Sequence, residues 1–589
     1  MKNISKANTF FLVASLFLLL GCGGGGGGGR NSNNNENINS LFYDSSKASI
    51  HNLKNTDKIF SAFNGKNSIE IKNIPVDSSG NVLYACLITN PNSEPITSLT
   101  FTPPLATKNV RVGLKIDEKE EENRTPLLTI RESSIEDASL NKIFPFRENL
   151  AQKAKLKEDL YNDYLKNEAD NKSLALRTNI NHQDEKEGQS DIIIPVLKSH
   201  NGGLRNCTLA KISNYGKFFI DQDEHGSIAA PNISKQSMNQ FASEFDKYIY
   251  PIIKDYFGNG TDSFWHDVDN DGKLSIVFSP VVNNYGSNVV GIFENATLND
   301  RQYPRDIICV AVNEDDYSKW VTDARETIVH EMQHIVNFSA KSGRREDLWI
   351  DEGLSVCSEI LYRQKRRKDG LQSYSLYYNG EHLDFAGNDA RFYYAEYIMP
   401  QLNLTSFSSD DSNSTLAHYG QKGLFFYYLY EQYGKDYLRQ LTQGVRGTEK
   451  FNVFERSLEE LIIDFNFALL NEKIRNVVLN DFAVNPYSLA SSKHSFVENM
   501  NLNFINSGSG FIETPVSFIE QRFNNLNIER TVDLLKDSNF GRITIPGNGG
   551  TIRFFLKQPK NFSNILHTSS YTMTFSSSNP IVINMIRCN

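Results

Sequence analysis

Apolar residues recur with two different spacings along this chain, and the changes between them predict its parts. Short β-prone runs broken by Asn, Gly and Pro fill much of residues 41–150, for example 68–74 and 82–88. Helical spacing dominates from residue 237 to about 480, and short alternating segments return from 496 to 588. The pattern predicts an α+β fold in which a mainly helical core, with a mixed β part on its N-terminal side, is flanked by β-rich N- and C-terminal domains.

These changes, together with local composition, divide the chain into predicted segments. They are a signal peptide at 1–21, a lipidated cysteine with a Gly/Asn tether at 22–40, a β-rich domain at 41–150, a charged helix and linker at 151–190, a central domain at 191–484 and a β-rich domain at 485–589. The length of 589 residues fits roughly two to four domains. The central domain carries the candidate chemistry.

The N-terminus has the features of an exported lipoprotein. Lys2 and Lys6 precede an apolar run at 10–20 that is shorter than the roughly 20 residues needed to cross a membrane. The run ends in Leu-Leu-Gly-Cys, which resembles a bacterial lipobox with Cys22 as the lipidated residue; an ordinary signal peptide is the alternative. Because the glycines at 23–29 cannot bury a core, they predict a flexible tether. We expect a lipid anchor on the extracytoplasmic side of a bacterial membrane, at the outer membrane or cell surface or in the periplasm.

Charge and cysteine content narrow the function classes further. The chain has 61 Lys and Arg against 70 Asp and Glu, a net charge of −9 that is spread along the sequence. No nucleic-acid partner is expected, because phosphate binding needs a concentrated basic surface. Beyond Cys22 an odd number of cysteines remains, so at least one should be free, and their pairing stays open. These are Cys86, Cys207, Cys309, Cys357 and Cys588.

The strongest chemical motif is His330-Glu331-Met332-Gln333-His334, which fits HExxH. Residues four apart on a helix face the same way, so both imidazoles can reach one Zn²⁺ while Glu331 stands beside a water at the metal. Asp323 and Glu326 look like a capping box at the start of this helix. A chance HExxH has a probability on the order of one in a hundred in such a chain, so a third ligand is needed to support the site.

Glu352 is the predicted third ligand. It lies 18 residues after His334 (352 − 334), far enough for the first helix to end, a polar turn to follow and a second helix to return. Two histidines and one glutamate leave a coordination position open, which is typical of a catalytic zinc site, where bound water has a pKa near ~7. Glu352, Ser355 and Glu359 share one helical stripe, so Glu359 is predicted to accept a hydrogen bond from a ligand imidazole; a solvated surface charge is the alternative.

Together, these segments resemble the hyicolysin-type zinc metallopeptidases of the gluzincin group. The resemblance rests on HEMQHIVNF and WIDEGLSVCSE, with the Asp-rich stretch 267–272 upstream and the aromatic segment 419–434 downstream, and it covers about residues 205–450. It implies a gluzincin-like core with His330, His334 and Glu352 as zinc ligands and Glu331 as general base. Thermolysin-like enzymes have an acid four residues after the ligand glutamate, where this chain has Val356, so a thermolysin-like outer carboxylate is not expected at that position.

The Asp-rich stretch matches the first half of a calcium loop. Asp267, Asp269 and Asp271 stand at alternate positions before Gly272, but the twelfth position is Phe278 rather than Glu, which excludes an EF-hand. Two interpretations stay open. The stretch is either a turn stiffened by Ca²⁺ or a metal-free Asp/Asn/Gly turn.

Two further residues are candidates for contact with substrate. Tyr419, beside His418, could donate a hydrogen bond to the oxyanion of a tetrahedral intermediate, although core packing is the commoner role of a buried Tyr. Residues 291–295, Gly-Ile-Phe-Glu-Asn, resemble the GxMEN segment by which gluzincin aminopeptidases bind a substrate amine. In that comparison Glu294 would be the amine anchor.

The favoured interpretation is an extracytoplasmic zinc metalloendopeptidase that hydrolyses peptide bonds of proteins, with Glu331 activating the water. One alternative is a zinc aminopeptidase that uses Glu294. Another is a non-catalytic surface lipoprotein or adhesin with a vestigial peptidase module. The intact set of metal ligands and Glu331 argues against the last, because a non-catalytic module has no physical need for a base beside an open metal position.

Overall fold

The computed structural model has an α+β fold. It describes residues 50–53, 59–63, 68–76, 82–102, 182, 184–197, 203–222, 233–261, 264–285, 291–293, 303–312, 317–371, 376–378, 381–383, 402–407, 412–454, 456–476, 529–533, 545, 547–557 and 570–587. The predicted signal peptide, the tether and nearly all of the predicted charged helix and linker lie outside these residues.

The strands, in chain order, are β1 (Ile50–Asn52), β2 (Ile59–Phe63), β3 (Ser68–Pro75), β4 (Val82–Asn90), β5 (Leu99–Thr102), β6 (Ile192–Pro195), β7 (Leu204–Ile212), β8 (Gly216–Asp221), β9 (Leu274–Phe278), β10 (Gly291–Phe293), β11 (Ile307–Val310), β12 (Leu376–Tyr378), β13 (Glu381–Leu383), β14 (Glu529–Asp533), β15 (Gly550–Lys557), β16 (Ser570–Ser577) and β17 (Val582–Arg587). The α-helices are α1 (Lys235–Glu244), α2 (Tyr250–Tyr256), α3 (Tyr317–Ala340), α4 (Leu348–Lys368), α5 (Ser412–Tyr433), α6 (Lys435–Gln443) and α7 (Leu458–Asn476). A π-helical turn, Phe245–Ile249, joins α1 to α2.

Strands from the two ends of the chain build a β-sandwich. One sheet has the order β14-β15-β4-β17-β2 and the other has the order β1-β3-β16-β5. Buried side chains of both sheets, such as Ile71, Tyr84, Met573 and Met585, share one apolar core. The strict alternation of buried and half-buried residues along β16 fits a strand with one face on that core.

The sandwich differs from the two separate β-rich domains predicted from sequence. β17 pairs antiparallel with both β4 and β2, and β16 pairs antiparallel with both β3 and β5. β16 and β17 are therefore interior strands, each flanked on both sides by strands from the N-terminal region. Alternation of apolar residues identifies a strand but not the strand with which it pairs. The sequence pattern therefore predicted two separate β-rich domains.

A six-stranded sheet with the order β10-β11-β9-β8-β7-β6 supports the central region. β8, β9 and β11 run parallel, and every residue of β9 is buried, as expected for a strand covered on both faces. Ile276 and Phe278 pack among the helices on one face, whereas Val277 packs in a smaller apolar cluster on the other. Edge strand β10 lies beside α3.

Helix α4 packs on both α3 and α5. Ile328, Met332 and Ile335 form the buried apolar stripe of α3. Gly353 permits the close approach of α4 to α5, because a Cβ there would lie 2.5 Å from the ring of Phe426. No described helix is long and apolar enough to span a membrane.

The capping-box prediction is wrong. The helix that carries HExxH begins at Tyr317, so Asp323 and Glu326 lie inside it rather than at its first turn. Glu326 instead forms a buried ion pair with Arg363 of α4. Residues three apart also lie on one face in the interior of a helix, so the Asp-x-x-Glu pattern is not specific to a helix start. Here Glu326 is an interior residue whose partner is the cation of Arg363 on α4.

Candidate metal centre

The HExxH helix and α4 bring three predicted ligands together. Nε2 of His330 lies 3.2 Å, and Nε2 of His334 3.7 Å, from Oε2 of Glu352. The ligand atoms of the three residues all lie within 4.8 Å of one another, and all three side chains are buried. Two imidazole nitrogens and one carboxylate oxygen at this spacing fit the donor set of a catalytic zinc ion, which has three protein ligands.

The imidazole of His330 is oriented by a chain of buried charges. Its Nδ1 lies 2.6 Å from Oε1 of Glu359, and the other oxygen of Glu359 accepts a hydrogen bond of 3.1 Å from Arg363. Arg363 also donates two hydrogen bonds, of 3.0 and 2.8 Å, to Glu326 of α3. With Nδ1 bonded to a carboxylate, Nε2 of His330 is left to face the metal position, the usual arrangement in carboxylate–histidine–metal sites.

The second imidazole has its own carboxylate. Nδ1 of His334 lies 3.0 Å from Oδ2 of Asp351, whose other oxygen accepts a hydrogen bond of 2.6 Å from Asn337. Ser355 lies close to the same ring, with its Oγ 3.2 Å from Nδ1, and donates to Gln333 at 2.6 Å. Both ligand histidines therefore have an acidic neighbour on α4.

Glu331 lies between α3 and the edge of the central sheet. Its side chain is fully buried, and its Oε2 accepts a hydrogen bond of 2.9 Å from the backbone N–H of Phe293 in β10. A cavity of about 20 Å³, lined in part by Phe293, His334, Asp351 and Glu352, lies on this side of the site. Its volume is enough for one water molecule. The space for water thus lies beside two of the three predicted ligands and beside Phe293, whose N–H is bonded to the base.

Comparison with known proteins supports a metallopeptidase. No protein-family model matches this chain. Part of it is similar to the neutral metalloprotease ShpI of Staphylococcus hyicus, with 28% identity over 184 residues. The match spans 28% of this chain and 39% of the length of that relative. The chain is related to a metallopeptidase over part of its length. In that setting His330, His334 and Glu352 could form a zinc site.

Tyr419 lies next to the predicted ligand His330, within α5. Its ring centroid is 6.3 Å from that of His330 and 5.1 Å from that of Phe407, and its side chain is buried. Nδ1 of His418 lies 2.6 Å from Nζ of Lys422, and burial together with the Lys422 charge lowers the pKa of His418 well below its ordinary value. Of the two residues, Tyr419 is the one whose ring lies beside a predicted ligand, and its catalytic role stays a prediction.

Some predicted residues lie outside the described part of the chain. They are Glu294, the candidate amine anchor, and Cys22, the candidate lipidation site. Among the described cysteines, Cys207 and Cys357 are buried and form no disulfide. Burial raises the pKa of both thiols, which suits a packing role rather than a reactive one.

Several contacts at the site were not predicted from sequence. Asp351 carried a signal that could have been used, because it directly precedes Glu352 and lies one helical turn before Ser355. The pair Glu359 and Arg363 also has the spacing of a helical ion pair. No sequence signal could have indicated the contact of the Phe293 backbone N–H, because only the tertiary fold brings β10 to Glu331.

Proposed function

We propose that this protein is a zinc-dependent metalloendopeptidase of the hyicolysin type. The observation that carries the proposal is the convergence of His330, His334 and Glu352 with Glu331 on the same helix turn. The similarity of part of the chain to a neutral metalloprotease supports the same proposal. The substrate class is protein or peptide, and residues 191–484 are the proposed catalytic domain.

The residues have distinct roles in this proposal. His330, His334 and Glu352 would hold the ion, which when bound supplies a Lewis acid for the scissile carbonyl and for water. Glu331 takes the proton of the attacking water and returns it to the leaving amine. The N–H of Phe293 fixes one carboxylate oxygen of this base, and Glu359 and Asp351 keep the imidazoles turned toward the ion. Tyr419 is the proposed donor to the oxyanion.

The endopeptidase activity is tested with one peptide of about ten residues in free and N-acetylated forms. We expect both forms to be cut internally at similar rates, because the resemblance of residues 267–434 to hyicolysin-type endopeptidases is wider than the five-residue match around Glu294. Mass spectrometry of the products gives the cleavage positions, and a zinc chelator should stop cleavage of both forms. Release of single residues from the free form, with the acetylated form resistant and Glu294→Ala inactive, would establish the aminopeptidase instead.

We further propose that lipid on Cys22 anchors the protein outside the cytoplasm of a bacterium, at the outer membrane or cell surface or in the periplasm. Cys22→Ser should move the protein from the membrane fraction to the soluble fraction, because the flexible tether then ends without an acyl chain. Fractionation and immunoblotting give the distribution. Cys588→Ser, which alters a cysteine remote from the lipobox, is the matched control and should stay with the membrane. Unchanged membrane association of Cys22→Ser would contradict the proposal.

A further inference from the structure

A short segment beside the candidate site connects helix α5 to the β-sandwich. It consists of residues 402–407, which precede α5 in the chain, and we call it the strap. The ring of Phe407 packs edge to face on Tyr419, with 5.1 Å between the ring centroids, and lies 5.5 Å from the ring of His418. The strap therefore supplies part of the packing around the proposed oxyanion donor.

Buried polar groups of α5 hold the strap. Nζ of Lys422, a fully buried residue, donates a hydrogen bond of 3.2 Å to the backbone carbonyl of Asn403. Nε2 of Gln421 donates one of 3.5 Å to the carbonyl of Leu402. Nζ of Lys422 also lies 2.6 Å from Nδ1 of His418 and 2.9 Å from Oε1 of Gln421. Because a buried amine is costly unless its hydrogen bonds are made, the strap carbonyl is a needed partner of Lys422.

The strap is also bonded to a turn of the sandwich. Residues 547–549, Gly-Asn-Gly, directly precede β15, and we call them the sandwich turn. The backbone N–H of Leu404 donates a hydrogen bond of 3.0 Å to the carbonyl of Asn548. Nδ2 of the Asn548 side chain donates one of 2.9 Å to Oγ1 of Thr405. One residue of the sandwich thus bonds to two successive residues of the strap.

The sandwich turn has a closely defined backbone. Asn548 and Gly549 have φ angles of 47° and 101°, in the left-handed region that Asn and Gly adopt most readily. Gly547 lies so near the loop after β4 that a Cβ there would be 1.9 Å from the carbonyl oxygen of Ser93. The backbone N–H of Asn548 donates a hydrogen bond of 2.6 Å to the carbonyl of Asn92 in the same loop. The sandwich therefore fixes where the Asn548 side chain stands.

We propose that Asn548 is a positioning residue for Tyr419, through which the β-sandwich shapes the candidate site. This inference rests on the proposed function, in which Tyr419 donates to the oxyanion. The amide of Asn548 holds Thr405, the strap carries Phe407, and the ring of Phe407 limits where the ring of Tyr419 can lie. A catalytic donor must be placed to within about 0.5 Å, so this support matters for the reaction. The sandwich is then a working part of the peptidase rather than a separate module.

The first measurement reports the position of residue 419 without using activity. 3-Fluorotyrosine is placed at position 419 of the detergent-solubilised, zinc-loaded full chain, with Glu331→Gln to prevent self-digestion. Its ¹⁹F chemical shift senses the neighbouring ring, and Phe407→Leu gives the shift that belongs to loss of that ring. Asn548→Gly, which suits the positive φ and removes only the side-chain amide, should move the resonance toward that shift.

Two further variants complete this measurement. Thr405→Val removes the acceptor of the same hydrogen bond and should move the resonance in the same direction as Asn548→Gly. The double variant should move it no further than the larger of the two, because both remove one interaction. Asn579→Gly is the matched control, since it removes a side-chain hydrogen bond to the carbonyl of Pro95 elsewhere in the sandwich, and it should leave the resonance in place.

The second measurement is peptide hydrolysis by the zinc-loaded chain with Glu331 intact. Tyr419→Phe should lower kcat by about 10²-fold with little change in KM, as expected for loss of an oxyanion donor. Asn548→Gly should lower kcat by about 3–30-fold, with KM and zinc content unchanged, because a misplaced donor stabilises the transition state less. In the Tyr419→Phe background Asn548→Gly should have no further effect on kcat. A merely structural role would lower activity equally in both backgrounds.

An unmoved ¹⁹F resonance in both Asn548→Gly and Thr405→Val would overturn the proposal, as would an equal loss of kcat with and without the Tyr419 hydroxyl. If Asn548→Gly does not fold, Thr405→Val decides by the same two measurements. An inactive parent would contradict the proposed peptidase function, and full activity of Tyr419→Phe would contradict the role of that hydroxyl. In either case the ¹⁹F shift alone decides whether Asn548 positions residue 419, so the two failures are distinguishable.

Discussion

Glu331→Gln is expected to lower kcat/KM for peptide hydrolysis by about 10²–10⁴-fold, the usual contribution of a general base. Glutamine keeps the size of the side chain and an oxygen that can accept the N–H of Phe293, so the contact between α3 and β10 is retained. It cannot take a proton from water. Hydrolysis of a peptide with a fluorescent reporter, measured with zinc-loaded protein, gives the loss.

The zinc content and melting temperature of Glu331→Gln should match those of the wild type, because Glu331 is not among the three predicted ligands. Glu449→Gln, a substitution of an exposed glutamate in another part of the chain, is the matched control and should keep full activity. Activity of Glu331→Gln within a few fold of the wild type would contradict the assignment of the base.

Loss of zinc is the second large effect that we expect. His330→Ala, His334→Ala and Glu352→Ala should each abolish stoichiometric zinc binding, because three protein ligands are the minimum for this open site. Glu359→Gln should keep the ion but bind it about 10–100-fold more weakly, since it weakens only the partner of the His330 imidazole. Elemental analysis after dialysis and competition with a chromophoric chelator measure the two effects.

The difference between complete loss of zinc and weaker zinc binding distinguishes the ligands from the residue that orients them. Full zinc content in all three ligand variants would contradict the site. Complete loss of zinc in Glu359→Gln would instead indicate that Glu359 is itself a ligand or that the buried chain through Arg363 and Glu326 is needed for folding; circular dichroism of the variant distinguishes these two explanations.

The parts of the site that lie on one helix could be predicted from sequence because their geometry is local. The spacing of His330 and His334 fixes their common face, and the stripe of Glu352, Ser355 and Glu359 likewise follows from the helical repeat. The structure places all of these residues together. The start of the HExxH helix was predicted wrongly, because Glu326 was taken as a capping residue. Its partner is Arg363 on another helix, which no local pattern shows.

Contacts between distant segments could not be predicted in the same way. Whether Phe293 reaches Glu331, for example, depends on the order of strands in the central sheet. The same limit applies to the β-rich regions. Their strands were recognised from alternation, but alternation does not tell which of many strands β16 and β17 pair with.

The sandwich built from both ends of the chain also governs when folding can finish. Met585 pairs with Phe60, so this contact closes a loop of 525 residues (585 − 60). Contacts of such sequence separation form slowly, and during synthesis β16 and β17 appear only after the segment that carries the metal ligands. The segment that carries the metal ligands can therefore fold first, while β3, β4 and β5 wait with open edges that are prone to pairing with other chains. Pairing of β16 and β17 with β2, β3, β4 and β5 is then the step that ends this vulnerable interval.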